Sequence, residues 1–210
     1  MERFRINAGT CFYTKRHCDI MKLLKMEVVM RKISNDEYLI EYSIEEFEYN
    51  KENLKEIFDF EYFMDNFDEE TDLGLVIKIN AIDKKTGDKK TYLVGDDCAS
   101  NTNEERVILN DKYVFVLLHY GDIVKINLKT AQIEKKLELE RWGTYYDIYN
   151  FGDHIIISGE LAIYSLDYEL NILKKFETPD VIIDFKIENN FIFVKDFNDN
   201  LYTLDLYLNK

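Results

Sequence analysis

The 210-residue chain has a single proline, Pro179, and only eight glycines, so few positions interrupt a regular backbone. No apolar run approaches the roughly 18 residues that span a bilayer. The first residues, Met1 to Arg5, lack the apolar stretch of a secretory signal. These absences argue against a membrane-spanning or exported protein, and we expect a cytoplasmic one.

Cysteine is also scarce. Cys11, Cys18 and Cys98 form an odd set without the spacing of a metal site. We expect them to be reduced thiols, as is usual for cytoplasmic proteins.

Basic residues are outnumbered, since 27 Lys and Arg face 41 Asp and Glu and give a formal net charge of −14. A protein that binds nucleic acid needs a basic surface to meet the phosphates. Anionic lipids likewise attract basic segments. The charge therefore argues against nucleic acid and membranes as partners, and it fits a partner that is itself a basic protein.

Branched and aromatic residues, by contrast, are abundant. Hydrophobic residues make up 46% of the chain and aromatic residues 14%, which is enough to build the core of a single domain spanning residues 1–210. Ile, Val, Tyr and Phe fit the pleated, half-buried surface of a sheet. We therefore expect a mainly β fold.

A repeat of about 38 residues runs through the C-terminal half. Residues 163–171 (IYSLDYELN) recur as residues 201–209 (LYTLDLYLN), with five identical positions. A weaker copy, VKINLKT, begins at Val124. Self-similarity at a fixed spacing indicates a repeat architecture. Residues 106–208 are therefore predicted to form three blade-like repeats.

Within each repeat, short apolar or alternating runs are separated by turn residues. These runs predict strands at 106–109, 113–118, 122–128 and 133–139, then 145–149, 155–157, 161–166 and 172–176, then 181–187, 191–194 and 201–206. The run Ile-Tyr-Ser-Leu-Asp at 163–167 closes a third strand and resembles the blades of WD40 and quinoprotein-repeat propellers. The resemblance covers about residues 75–210 and implies blade-like antiparallel sheets.

An earlier unit is interrupted by an insert. Strands are predicted at 26–33, 38–47, 75–82 and 91–94, with a helical insert at 50–67 that begins at the N-cap Asn50. The predicted fold is thus a small propeller-like array of about four antiparallel β-sheet units with one inserted helix. The segment Arg3 to Ile6 is the candidate strand for closing a ring, and an open, curved stack of sheets is the alternative.

Motifs for catalysis or cofactor binding are absent from the sequence. The three histidines have no ligand spacing, and no nucleophile elbow or phosphate-binding loop occurs. Asp196 to Asn200 resembles the start of a calcium loop, but Leu201 and Tyr207 stand where glycine and glutamate are required. We interpret this stretch as a hairpin turn and expect a non-enzymatic protein without metal or cofactor.

Charge is concentrated in residues 41–72, which hold 13 acids and two bases and so carry −11 of the total of −14. Eight aromatic residues share the segment. Most of these residues fit a solvated acidic face over a core, yet aromatics ringed by acids can also anchor and steer a basic partner. The candidate partner-binding residues are Glu45, Glu46, Glu48, Asp59, Glu61, Tyr62, Asp65, Asp68, Glu69, Glu70 and Asp72.

Two functional hypotheses follow from these features. The first is a protein-binding module, similar in size and composition to the immunity proteins that neutralise a basic toxin such as a nuclease. The second is a small-ligand or glycan-binding, or hydrolytic, propeller protein that uses loop residues around the blades. The candidates for that site are His119, Asp122, Trp142, Asp147 and His154.

Overall fold

The computed structural model describes residues 29–47, 58–63, 74–96, 105–140, 143–205 and 207–209. These ranges form sixteen strands in four sheets and contain no helix. A search of the same ranges for a helix that could cross a bilayer accordingly finds none.

The first sheet has five strands in the order β1-β2-β4-β5-β3. Strand β3 runs parallel to β5, and every other pair in the sheet is antiparallel. The strands are β1 (Arg31–Ser34), β2 (Tyr38–Phe47), β3 (Phe60–Phe63), β4 (Gly74–Asp83) and β5 (Lys89–Asp96).

The next three sheets are antiparallel meanders, in which each strand pairs with the one before it. The second sheet contains β6 (Val107–Asn110), β7 (Tyr113–Leu117), β8 (Asp122–Asn127) and β9 (Gln132–Glu138). The third contains β10 (Tyr145–Phe151), β11 (His154–Gly159), β12 (Ala162–Leu166) and β13 (Ile172–Glu177). The fourth contains β14 (Ile182–Glu188), β15 (Phe191–Asp196) and β16 (Leu201–Leu204).

The predicted strands within 106–208 are confirmed, with every end placed within two residues of its observed position. The continuous apolar runs form the second strand of each sheet in this range, and one of these strands, β11, is buried along its whole length. Such a strand needs cover on both faces, and the neighbouring sheets supply it.

The sheets pack face to face in chain order. One apolar cluster joins the first sheet to the second, another joins the second to the third, and a third joins the third to the fourth. The initial strands also meet: Asn150 of β10 donates a hydrogen bond to the carbonyl of Leu109 in β6, and Tyr149 stacks on Phe185 of β14. The fold is therefore a propeller-like array of four blade-like sheets.

The prediction of a helix at 50–67 is wrong over Phe60–Phe63, which form strand β3. From Phe58 to Tyr62 aromatic and acidic residues alternate, which is the period of a strand rather than of a helix. The free edge of β5 pairs with this run, and Gly95 leaves room for the ring of Phe63. The rest of the predicted helix and the predicted closing strand at 3–6 lie outside the described residues.

A recurring turn ends the third strand of a repeat. The Asp167 carboxylate accepts hydrogen bonds from the backbone N–H groups of Glu169 and Asn171 and from the Asn171 side chain. Asp205 makes the equivalent bonds with Tyr207 and Asn209. These bonds occupy the backbone donors of the turn, which explains the Asp and Asn shared by the two repeats.

The stretch Asp196 to Asn200 forms the same kind of turn between β15 and β16. The Asp196 carboxylate accepts bonds from the N–H groups of Asn198 and Asn200, and its second oxygen accepts bonds from the Asn200 amide and the Tyr202 hydroxyl. The interpretation of this stretch as a hairpin turn is confirmed.

Candidate partner-binding surface and central groove

The acid-rich segment, residues 41–72, consists of the last part of β2 and nearly all of the connection between β2 and β4. Strand β2 ends at Phe47, which pairs with Gly74 at the start of β4. The connection between them, residues 48–73, therefore begins and finishes at the same sheet end. It contains ten acids and two bases, and its described part, β3, forms the outer edge of the sheet.

Several acids of this segment are bound within the protein. Glu41 forms an ion pair with Lys32 at 2.6 Å, and that hydrogen bond lowers the pKa of Glu41 from its usual value. Glu45 lies 3.1 Å from the ammonium of Lys78 and accepts a hydrogen bond from Ser43. Glu41 and Glu45 are thus each neutralised by a lysine of the same sheet.

Asp59 anchors the start of β3. Its carboxylate accepts hydrogen bonds from the backbone N–H of Thr91 at 2.7 Å and from the Thr91 hydroxyl at 3.1 Å. The Asp59 N–H donates in turn to the Thr91 carbonyl at 3.0 Å. Asp59 thus fixes β3 to β5, and both Asp59 and the neighbouring Glu61 are exposed.

Tyr62 is half-buried and faces the second sheet. The ammonium of Lys136 in β9 lies 5.8 Å from the centre of its ring. Lys136 also forms an ion pair with Asp122 at 3.1 Å, and hydrogen bonds to Tyr62 and Asp122 outweigh burial and raise the pKa of the ammonium. Tyr62 therefore contacts the second sheet while staying partly exposed, and its assignment as a partner-binding residue stays a prediction.

The other predicted partner-binding residues are described only in part or not at all. Glu46 pairs with Leu75 in the backbone ladder of β2 and β4. The remaining six, Glu48, Asp65, Asp68, Glu69, Glu70 and Asp72, lie outside the described residues.

A second feature is a groove at the centre of the array, with a volume of about 440 Å³. It is bounded by the initial strands of the first three sheets. The lining residues are Ile33, Ser34, Glu105, Val107, Ile108, Leu109, Ile148, Tyr149 and Asn150. Its size lies in the range of small-ligand pockets.

Glu105 is the charged residue that lines this groove, and its side chain is 51% exposed. One carboxylate oxygen accepts a hydrogen bond from the Tyr42 hydroxyl at 2.9 Å and lies 3.9 Å from the guanidinium of Arg31. The Glu105 N–H donates to the carboxylate of Asp147 at 2.7 Å. Burial and the bond to Glu105 raise the pKa of Tyr42 to about 12.

The residues predicted for the ligand hypothesis are not gathered around the groove. His119 contacts Arg106, Asp122 pairs with Lys136, and His154 lies against Asp153 and Tyr207. Of the four described residues in this set, Asp147 is the one with a hydrogen bond to a lining residue, Glu105. Trp142 lies outside the described residues. In the described part of the chain no group of three or more His, Cys, Asp or Glu side chains is placed to hold a metal ion.

The groove residues were missed because they belong to units far apart in the sequence. Ile33, Glu105 and Tyr149 each stand in or just before the initial strand of a different sheet. Their shared place in the repeat is the one signal that could have grouped them, since initial strands of packed blades meet.

Comparison with known proteins identifies no family. No protein-family model and no curated protein matches the chain. Among solved structures it is similar to BamB from Moraxella catarrhalis, at 14% identity and a TM-score of 0.47, over 82% of this chain and 41% of that one. It is similar to the computationally designed Ika4 protein at 11% identity and a TM-score of 0.44, over 72% of this chain and 92% of that one.

A further similar structure is the WD40 beta propeller domain of Doa1, at 14% identity and a TM-score of 0.43, over 62% of this chain and 46% of that one. This chain thus spans less than half of the BamB and Doa1 chains. The propeller-like description stands on the four packed sheets themselves.

Proposed function

We propose that this protein is a protein-binding module that engages a basic partner through its acid-rich segment. The observation that carries this proposal is the attachment of residues 48–73, with ten acids and two bases, to a single end of the first sheet. Gathering like charges in one place costs free energy through repulsion. A basic partner relieves that repulsion when it binds.

The contacts of the described acids narrow the proposed surface. Glu45 is neutralised by Lys78, and Asp59 is held by Thr91. Asp59 and Glu61 are the exposed acids in the described part of the connection, and of these two Glu61 is the one not bonded to Thr91. In sequence, Glu61 lies between Glu48 and the cluster Asp65 to Asp72. The proposed surface is therefore the connection 48–73 rather than the strand β2 that precedes it.

The finer form of the proposal is a cytoplasmic immunity or inhibitor protein for a basic toxin such as a nuclease. A nuclease presents a basic groove because it must bind phosphates. An acidic protein can fill that groove and block substrate without making or breaking a bond. Complementary charge would also speed the encounter between the two proteins.

The test is capture of the partner on the immobilised protein from cells that produce it, at about 50 mM and about 500 mM salt. We expect a basic protein that is retained at low salt and much reduced at high salt, because screening weakens steering and rim contacts. The purified partner is then assayed for nuclease activity with and without an equimolar amount of this protein.

The outcomes separate the coarse proposal from the fine one. Stoichiometric loss of nuclease activity supports the inhibitor role. A basic partner without inhibited activity supports the binding module and rejects the inhibitor. A partner that is acidic, or one retained equally at both salt concentrations, contradicts both.

A further inference from the structure

The central groove has rigid apolar walls. Val107 and Ile148 are almost completely buried and Leu109 is buried, so packing between the sheets holds the lining strands in place. The apolar side chains that are only half-buried, and so present surface to the groove, are Ile33 and Tyr149. The ring of Tyr149 is held against Phe185, with centroids 5.7 Å apart and planes inclined by 20°. A short apolar stem that covers the exposed parts of Ile33 and Tyr149 would remove apolar surface from water, which favours binding.

Carboxylate groups give one end of the groove an acidic character. One carboxylate oxygen of Glu105 accepts a hydrogen bond from the Tyr42 hydroxyl. Among the described residues, none donates a hydrogen bond to its other oxygen. The Asp147 carboxylate accepts a hydrogen bond from the Glu105 backbone N–H, which brings a second negative charge close to Glu105. Arg31, 3.9 Å from Glu105, offsets only one of these two negative charges.

The negative charges near the groove also affect Tyr149, one of the residues that line it. Burial is the main cause of the raised pKa of this hydroxyl, and the negative charges of Asp147 and Glu105 raise it further. An anionic group placed in the groove would meet the same repulsion, whereas a cationic group would be attracted.

We propose that the central groove binds an organic cation, with an ammonium or guanidinium head at Glu105 and an apolar stem along the walls. The head donates hydrogen bonds to the Glu105 carboxylate, and charge-assisted bonds of this kind are the strong ones. A guanidinium fits best, because its planar fork matches a carboxylate and also stacks on tyrosine rings.

Two sources could supply this chemistry: a free alkylamine or alkylguanidine, and the lysine or arginine side chain of a bound polypeptide. The groove lies on the initial strands and the proposed partner surface lies on the connection 48–73, so the two proposals stand or fall separately. Small probes therefore test the groove without any protein partner.

The experiment titrates the full chain with butylguanidinium, butylammonium and the neutral analogue butylurea, using nuclear magnetic resonance to follow the residues that line the groove. We expect saturable shifts at Glu105 and Tyr149 with both cations and none with butylurea. A capped tripeptide with central arginine forms a second arm. Tighter binding of the tripeptide than of butylguanidinium assigns the natural source to a polypeptide, and the reverse assigns it to a free cation.

Glu105→Gln removes the charge and keeps an oxygen that can accept the Tyr42 hydroxyl. It should weaken butylguanidinium binding about tenfold. Glu177→Gln, on the outer strand β13, removes the same charge away from the groove and should leave binding unchanged. Ser34→Trp adds bulk at the exposed rim and should also block binding. The proposal is overturned if neither cation saturates, or if Glu105→Gln binds as the unmodified protein does.

Discussion

At the scale of single residues, two leucines occupy an unusual backbone conformation. Leu170 and Leu208 both have a φ of 55°. Residues other than glycine and asparagine seldom adopt this left-handed backbone conformation. Each is almost completely buried, with 1% and 2% of its surface exposed. The apolar burial of the leucine side chain offsets the backbone strain of about 1–2 kcal/mol.

This arrangement predicts an inverted order of two substitutions at Leu170. Leu170→Ala loses the buried side chain and keeps the strain, and should lower the free energy of unfolding by about 2–4 kcal/mol. Leu170→Gly loses the same side chain and relieves the strain, so it should be no more destabilising than the alanine variant. Chemical denaturation of both variants gives the comparison.

Leu166 is the matched control, because it is fully buried at the end of β12 and has no positive φ. There glycine should be more destabilising than alanine, by about 0.5–1 kcal/mol. The same order at both leucines would show that the conformation of Leu170 carries no strain.

His119 gives a second prediction at this scale. Its Nδ1 lies 3.3 Å from the guanidinium of Arg106, so Nδ1 accepts and the neutral ring carries its proton on Nε2. Burial, and then the Arg106 charge, lower the pKa of His119 to about 4. Because the folded value lies below the unfolded value of about 6.5, its stabilising contribution is present above pH 6.5 and is lost as pH falls towards 4.

The loss should be on the order of 2–3 kcal/mol between these pH values. His119→Gln cannot titrate, so its free energy of unfolding should change less over the same interval. Urea denaturation at pH 7, 5.5 and 4.5 measures both proteins. Parallel pH curves for the two would contradict the assignment.

At the scale of elements, the sequence predicts most of the strands directly, whereas for β3 it carries both strand and helix signals. The alternation in Leu201 to Leu204 and the apolar run in Phe191 to Val194 each admit one interpretation between clear turn signals. Residues 58–62 show an equally clear alternation, but the surrounding acids and the N-cap Asn50 favoured a helix. The deciding factor, a free sheet edge at β5, depends on tertiary structure.

The attachment of β3 to that edge depends on Gly95. A Cβ at this position would lie 2.2 Å from a ring carbon of Phe63, so the ring must move if one is added. We expect Gly95→Ala to loosen β3 and to speed hydrogen exchange of the amides of Glu61 to Phe63. Gly143 is the control, since a Cβ there meets nothing within 4 Å. Equal exchange in Gly95→Ala and Gly143→Ala would contradict this account of β3.

At the scale of the whole molecule, the repeat predicted a stack of sheets but not which residues meet at its centre. Glu105 precedes β6 and Tyr149 lies in β10, more than 40 residues away. The charge pattern did mark residues 41–72, yet it could not show that Glu45 pairs with Lys78 or that Tyr62 packs against the second sheet. These contacts depend on strand register and on packing between sheets, and neither can be read from the charge pattern of the sequence.

The central claim, that the connection 48–73 steers a basic partner, is tested most directly by the association rate constant. The variant Glu69→Lys, Glu70→Lys and Asp72→Lys reverses three charges of the connection. Its control, Asp36→Lys, Glu37→Lys and Asp88→Lys, reverses three exposed charges in the turns at the opposite end of the first sheet. Both variants change the net charge equally.

At about 50 mM salt, stopped-flow mixing with the captured partner should show association slowed at least tenfold in the first variant and far less in the control. The difference should shrink at about 500 mM salt, where the Debye length falls to a few ångströms. Equal association rates for the two variants at low salt would contradict the claim.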